Sequence, residues 1–178
     1  MKTTLNKIRA HSPCEEGWEK LLKHLGKTKA DDEPLSLLTI LDSNGLDDAL
    51  WCMRAIEGRD KEIRLYAVWC ARQVQHLIQD TRSLAALDVA ERYADGEATV
   101  EELDAARDAA PDAAPGAALG SAWGAAWWAA WWAARGAARG AARGAVSDAE
   151  WDDVFGAARD AQEARLREVC NEVQGEDK

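Results

Sequence analysis

The chain has 178 residues, of which 47% are hydrophobic and 30% charged, with a formal net charge of −10. That size and balance fit one globular domain able to bury a core, and they exclude a disordered or fibrous chain. The acidic excess argues against a non-specific DNA or RNA binder, since each phosphate contact needs a cation.

Leu and Ala are plentiful, β-branched residues are few, and no run alternates as a strand would. The expected class is therefore all-α, a compact multi-helix bundle of about eight helices. Residues 4–10 read as a short helix. Ser12, Pro13 and Glu15 then supply an N-cap, a first-turn proline and a capping-box acid for a helix that Gly26 stops at Leu25. Trp18, Leu21, Leu22 and Leu25 form its apolar face. Pro34 opens the helix L-S-L-L-T-I-L, ended by Ser43-Asn44-Gly45, and Leu46–Glu57 follows, with Leu46, Leu50 and Met53 inward. Asp60–Ile78 is the most amphipathic stretch: Ile63, Tyr66, Ala67, Cys70, Val74, Leu77 and Ile78 keep the spacing of a buried face. Asp80 or Thr81 caps the next helix, which Asp95-Gly96 ends. Thr99 with Glu102 forms a second capping box, on a helix reaching Pro111. Ser147 with Glu150 forms a third, opening a C-terminal helix through Trp151 and Val169 that frays from Gln174.

Between these last two lies the low-complexity tract Ala113–Val146. It reads in fours, with Trp123, Trp127, Trp128, Trp131 and Trp132 followed by Arg135, Arg139 and Arg143. A four-residue repeat on a 3.6-residue helix advances by about 40° per step, giving a slowly winding stripe of indole and then guanidinium. Alanine favours this long helix. Each interior glycine opposes it by roughly 1 kcal/mol, so close packing against neighbours is expected. Residues 113–134 carry no charge, which is long enough to span a bilayer. One leucine and several glycines give too little driving force, and a membrane helix is not expected. The domain reading is 1–112, the tract 113–146 packed on it, and 147–178, all in one globular domain.

No catalytic constellation is present: there is no phosphate loop, no G-x-S-x-G and no H-E-x-x-H. No metal site, disulfide framework or cofactor is expected, because Cys14, Cys52, Cys70 and Cys170 are scattered without ligand spacing. Cys52 and Cys70 read as small core residues. Arginine does lie beside aromatics in two places. One is Arg64, Tyr66, Trp69, Arg72 and His76; the other is Trp128, Trp131, Trp132, Arg135 and Arg139. Indoles stack on bases and guanidinium forks pair with phosphate, so either set is a candidate ligand-binding site for a flat anion. The competing reading for each residue is core packing or a surface cation–π contact. Charge adds a third pointer. Residues 1–29 carry seven Lys/Arg against three Glu, whereas 95–112 carry seven acids against Arg107 alone. A small anion therefore has a local positive region to find.

The segments L-N-K-I-R-A-H-S-P-C-E-E-G-W-E-K-L-L, D-D-A-L-W-C-M-R-A-I, I-R-L-Y-A-V-W-C-A-R-Q-V and A-E-R-Y-A-D-G-E-A-T-V-E-E-L resemble Imm5-like immunity proteins of bacteria and prophages. The resemblance spans about residues 4–110, and an alanine-rich tract with Trp and Arg commonly follows in that family. It implies a small, cytosolic, helical, non-enzymatic protein of conflict biology, and it supplies no binding residues. The opening M-K-T-T-L-N-K-I-R has no apolar run of a secretory signal, which also leads to a cytoplasmic expectation. The expected function is a phage-type anti-defence sponge sequestering a nucleotide immune signal. The alternative is an inhibitor binding a toxin or defence protein directly, steered by its acidic surface. A homo-oligomer is expected from the glycine–alanine helix face.

Overall fold

Helices account for nearly all the regular structure in the computed structural model, which describes residues 1–73, 75–78, 80–110, 129 and 148–176. The described elements are α1 (Leu5–Ala10), α2 (Glu15–Leu25), α3 (Leu37–Asn44), α4 (Leu46–Cys52), α5 (Asp60–Arg72), α6 (Thr81–Ala94), α7 (Val100–Ala109) and α8 (Asp148–Glu176), with two single-turn 3₁₀ helices. The all-α class holds. The exception is a two-stranded antiparallel ribbon, β1 (Lys2–Thr3) with β2 (Leu35–Ser36), in which Thr3 faces Leu35. Two residues per strand are too few to show alternation in a sequence.

The described chain divides into two units, Met1–Arg59 with Arg167–Lys178, and Asp60–Leu166. In the first, Leu5, Ile8, Leu21, Leu37, Ile40, Leu50 and Met53 form the core. Burying such side chains contributes about 1.5–3 kcal/mol each, which is what holds helices too short to persist alone. The β-ribbon closes the unit's edge: the Leu37 N–H donates to the Met1 carbonyl at 3.1 Å, and the Thr3 hydroxyl donates to the Ala55 carbonyl. Arg167, on the last part of α8, pairs with Asp42 of α3 at 2.7 Å.

In the second unit α6 packs on both α5 and α7, around Ile63, Tyr66, Cys70, Ala86, Leu87, Ala90 and Leu103. Alanines at the contact let helix axes come close. The Tyr66 hydroxyl, fully buried, donates to the Gln162 carbonyl of α8 at 3.2 Å.

Several boundaries differ from the sequence reading, each for a local reason. Ser12 does not cap α2. It sits at φ 55°, where its N–H closes the end of α1 on the Arg9 carbonyl, and the N-cap position passes to Cys14. α5 stops at Arg72 and gives way to a 3₁₀ turn at Gln75–Leu77, so apolar spacing outlasts the helix. α4 likewise ends at Cys52, with a 3₁₀ turn at Met53–Ala55. α7 ends at Ala109 because Ala110, which precedes Pro111, is pushed to an extended conformation (ψ 119°). α8 stays helical to Glu176 rather than fraying at Gln174. The tract 113–146 and the Ser147 cap lie outside the described residues, except that Ala129 is helical and buried.

Candidate functional site

Of the residues singled out in the sequence, Arg64, Tyr66, Trp69 and Arg72 fall on α5 and His76 on the turn after it. Tyr66 is buried and packs on Trp69, ring centroids 6.4 Å apart and 22° from parallel. Arg64 is also buried, its guanidinium 5.0 Å from the centre of the Tyr93 ring. Burial lowers its affinity for the proton, and the neighbouring Tyr93 and Asp60 oppose that shift. Arg72 is held by three partners: Gln75 at 3.1 Å, Asp88 at 2.6 Å and Glu91 at 2.9 Å. His76 is exposed. Arg64, Tyr66, Trp69 and Arg72 are thus engaged in internal contacts. The other half, Trp128, Trp131, Trp132, Arg135 and Arg139, lies outside the described residues.

The first unit holds two adjoining spaces that the sequence reading did not single out. The larger is an open groove of about 520 Å³ between the end of α1, the start of α2 and the 27–33 connector; Arg9, Trp18, Leu22, Lys29 and Glu15 contribute to its walls. Its shape follows from the backbone. The Ser12 turn folds α1 back so that Arg9, in its last turn, stands beside α2. At the far end Gly26, at φ 64°, accepts the left-handed conformation that ends α2 and sends Lys27 onward. Lys27 then clamps the connector, pairing with Asp31 and, at 2.7 Å, with Glu33. Hydrogen bonding to Asp31 and then Glu33 raises its proton affinity, while Asp31 is lowered in turn by Lys27. The Asn6 N–H donates to the Asp31 carbonyl at 3.0 Å, tying the connector to α1.

That clamp engages Asp31 and Glu33 and leaves the connector's second cation, Lys29, available. Among the described residues neither the Arg9 nor the Lys29 side chain has an ion-pair or hydrogen-bond partner, and both residues are exposed. Glu15 is the one carboxylate in the groove's lining. The half-buried Trp18 indole lines the same groove. Two cations beside an aromatic face can pair with an anionic group while a ring stacks on the indole.

The smaller space, about 140 Å³, shares Pro13 and Trp18 with the groove and reaches inward between Ile8, Leu21, Ile40 and Trp51. The Arg54 guanidinium covers Trp51 at 4.1 Å, and its Nε donates to the Trp51 carbonyl at 3.0 Å. Its polar edge is Asn44 and Asp48. Asn44 Nδ2 donates to the Gly17 carbonyl at 2.8 Å and to Asp48 Oδ2 at 2.7 Å, while its Oδ1 accepts from Ser43 at 2.7 Å. Gly17 is there because the carboxylate is: a Cβ on it would lie 2.7 Å from Asp48 Oδ2. Cys52 lines the same space, and burial pushes its thiol up to about 12, so it stays protonated at neutral pH.

Among the described residues no group of His, Cys, Asp and Glu is placed to hold a metal ion, and no helix is long and apolar enough to cross a membrane. Comparison with known families, characterised proteins and solved structures yields no significant match.

Proposed function

We propose that this chain is a non-enzymatic binding protein of the phage counter-defence kind, which sequesters a small, flat, anionic ligand of the nucleotide class. The observation that carries the reading is the groove whose lining brings together Arg9 and Lys29, both without ion partners among the described residues, and the Trp18 indole. About 520 Å³ lies within the range of roughly 300–1,000 Å³ typical of small-molecule sites. The phosphate pairs with the two cations and the base stacks on Trp18. The resemblance to immunity proteins supplies the biological setting, a nucleotide immune signal inside the cell. A second copy of the chain would help close an open groove from water, in keeping with the expected homo-oligomer.

Calorimetry against cyclic dinucleotides and ADP-ribose-type compounds tests this, with chromatography of the ligand released on denaturation. Binding with the compound recovered intact is expected. No heat with any of them ends the proposal, and a converted product makes the protein an enzyme instead. The rival reading, an inhibitor that binds a toxin or defence protein directly, draws on the seven acids of residues 95–112. A salt-sensitive complex with a basic protein, in the absence of nucleotide binding, would favour it.

A further inference from the structure

The inner cavity has a chemistry the groove lacks, and it bears on which ring the ligand carries. We propose that this cavity selects a flat ring presenting an exocyclic amino group, rather than a keto oxygen, to Asp48. The inference rests on the nucleotide reading above and goes further, to the class of base.

Three observations lead to it. The first is size: about 140 Å³ is close to the roughly 150 Å³ of an apolar protein cavity that accepts benzene. One six-membered ring fits, so a pyrimidine enters whole and a purine by its six-membered edge. The second is position. The cavity shares Trp18 and Pro13 with the groove, so a ring attached to a phosphate at Arg9 and Lys29 meets their common wall. The third is polarity. The walls are two indoles, aliphatic side chains and the weakly polar Cys14 and Cys52 thiols, and the strong hydrogen-bonding position left open at the polar edge is an acceptor. Both amide hydrogens of Asn44 have acceptors in Gly17 and Asp48, and its oxygen is taken by Ser43. Asp48 spends Oδ2 on Asn44, and its Oδ1 has no hydrogen-bond partner among the described residues. A carboxylate oxygen accepts and cannot donate, so the ring must supply the hydrogen. A keto oxygen in its place sets lone pair against lone pair and leaves both groups unsatisfied. Carboxylates read the amino group of cytosine in the same way.

The absence of a side chain at Gly17 serves this arrangement, since α2 passes close enough to hold the carboxylate at the cavity edge only without a Cβ. Gly17→Ala therefore displaces Asp48 without altering its charge.

The test is calorimetry of the full chain with two matched pairs, cytidine against uridine 5′-monophosphate and adenosine against inosine 5′-monophosphate. The amino-bearing member should bind at least tenfold more tightly. Asp48→Asn, which can turn a donor toward the ring, should shrink or reverse that ratio, and Gly17→Ala should shrink it by moving the carboxylate. Circular dichroism confirms that each variant is folded, and either folded variant suffices. Nucleotides that bind with equal affinity within each pair, or with a ratio that both folded variants leave intact, overturn this inference and leave the groove reading standing. Failure of every nucleotide to bind overturns both.

Discussion

A buried thiol and an exposed one behave as different chemical groups, and the four cysteines divide on that line. Cys14 is exposed, while Cys52, Cys70 and Cys170 are buried. Burial raises Cys52 and Cys70 to about 12 and Cys170 to about 11, from an ordinary value of 9.0 for all three. A group whose folded value lies above its unfolded one stabilises the fold fully below the unfolded value and loses that contribution as pH rises through the folded one. The protein should therefore lose stability between about pH 9 and pH 12. Denaturant melts across that window would show it, and a Cys70→Ala variant should show a shallower fall. In the native state at pH 8 a thiol reagent should modify Cys14 quickly and the other three only after unfolding. Rapid reaction of all four would contradict the burial.

At the scale of elements, what the sequence made legible were signals confined to a single turn. Thr99 and Glu102 form the reciprocal capping box that their spacing implies: the Thr99 hydroxyl accepts from the Glu102 N–H at 3.2 Å, and the Glu102 carboxylate accepts from the Thr99 N–H at 2.8 Å. Thr99→Ala should destabilise the protein by about 1 kcal/mol, while Thr99→Ser should restore most of it. A thermal melt of the three proteins checks this, and an unchanged midpoint for the alanine variant would refute it. Gly26 and Asp80 were legible in the same way, one as a left-handed stop and the other as a cap on the Arg82 N–H at 2.8 Å. Ser12 was not, because two helices compete for one residue and the end of α1 wins. The groove was half legible. The cationic bias of residues 1–29 and the place of Trp18 on α2 can be read from the chain. Lys27 pairs with acids only four and six residues on, but that Lys29 would line one groove with Arg9 depends on tertiary placement that no local pattern encodes. The opposite happened on α5, where Arg72 meets Asp88 and Glu91 from sixteen and nineteen residues away.

For the molecule as a whole, a net charge of −10 sets the field in which any anionic ligand must bind. At long range that field repels phosphate, and only a local excess of cations can reverse it. Arg9 and Lys29 supply that excess in the groove. Two exposed charge-assisted contacts together contribute about 2 kcal/mol, or roughly 30-fold in affinity, and added salt screens them. Stacking on the indole adds about 1–3 kcal/mol, which salt hardly touches. The two contributions therefore separate by ionic strength. The most direct test is calorimetry of the tightest-binding nucleotide with the wild type, Trp18→Ala and the double variant Arg9→Ala/Lys29→Ala, each at low and at raised salt. The account predicts that the double variant binds roughly 30-fold more weakly at low salt and has lost most of the salt dependence, while Trp18→Ala is weakened at both salts and keeps it. Full affinity and an unchanged salt response in the double variant would contradict it.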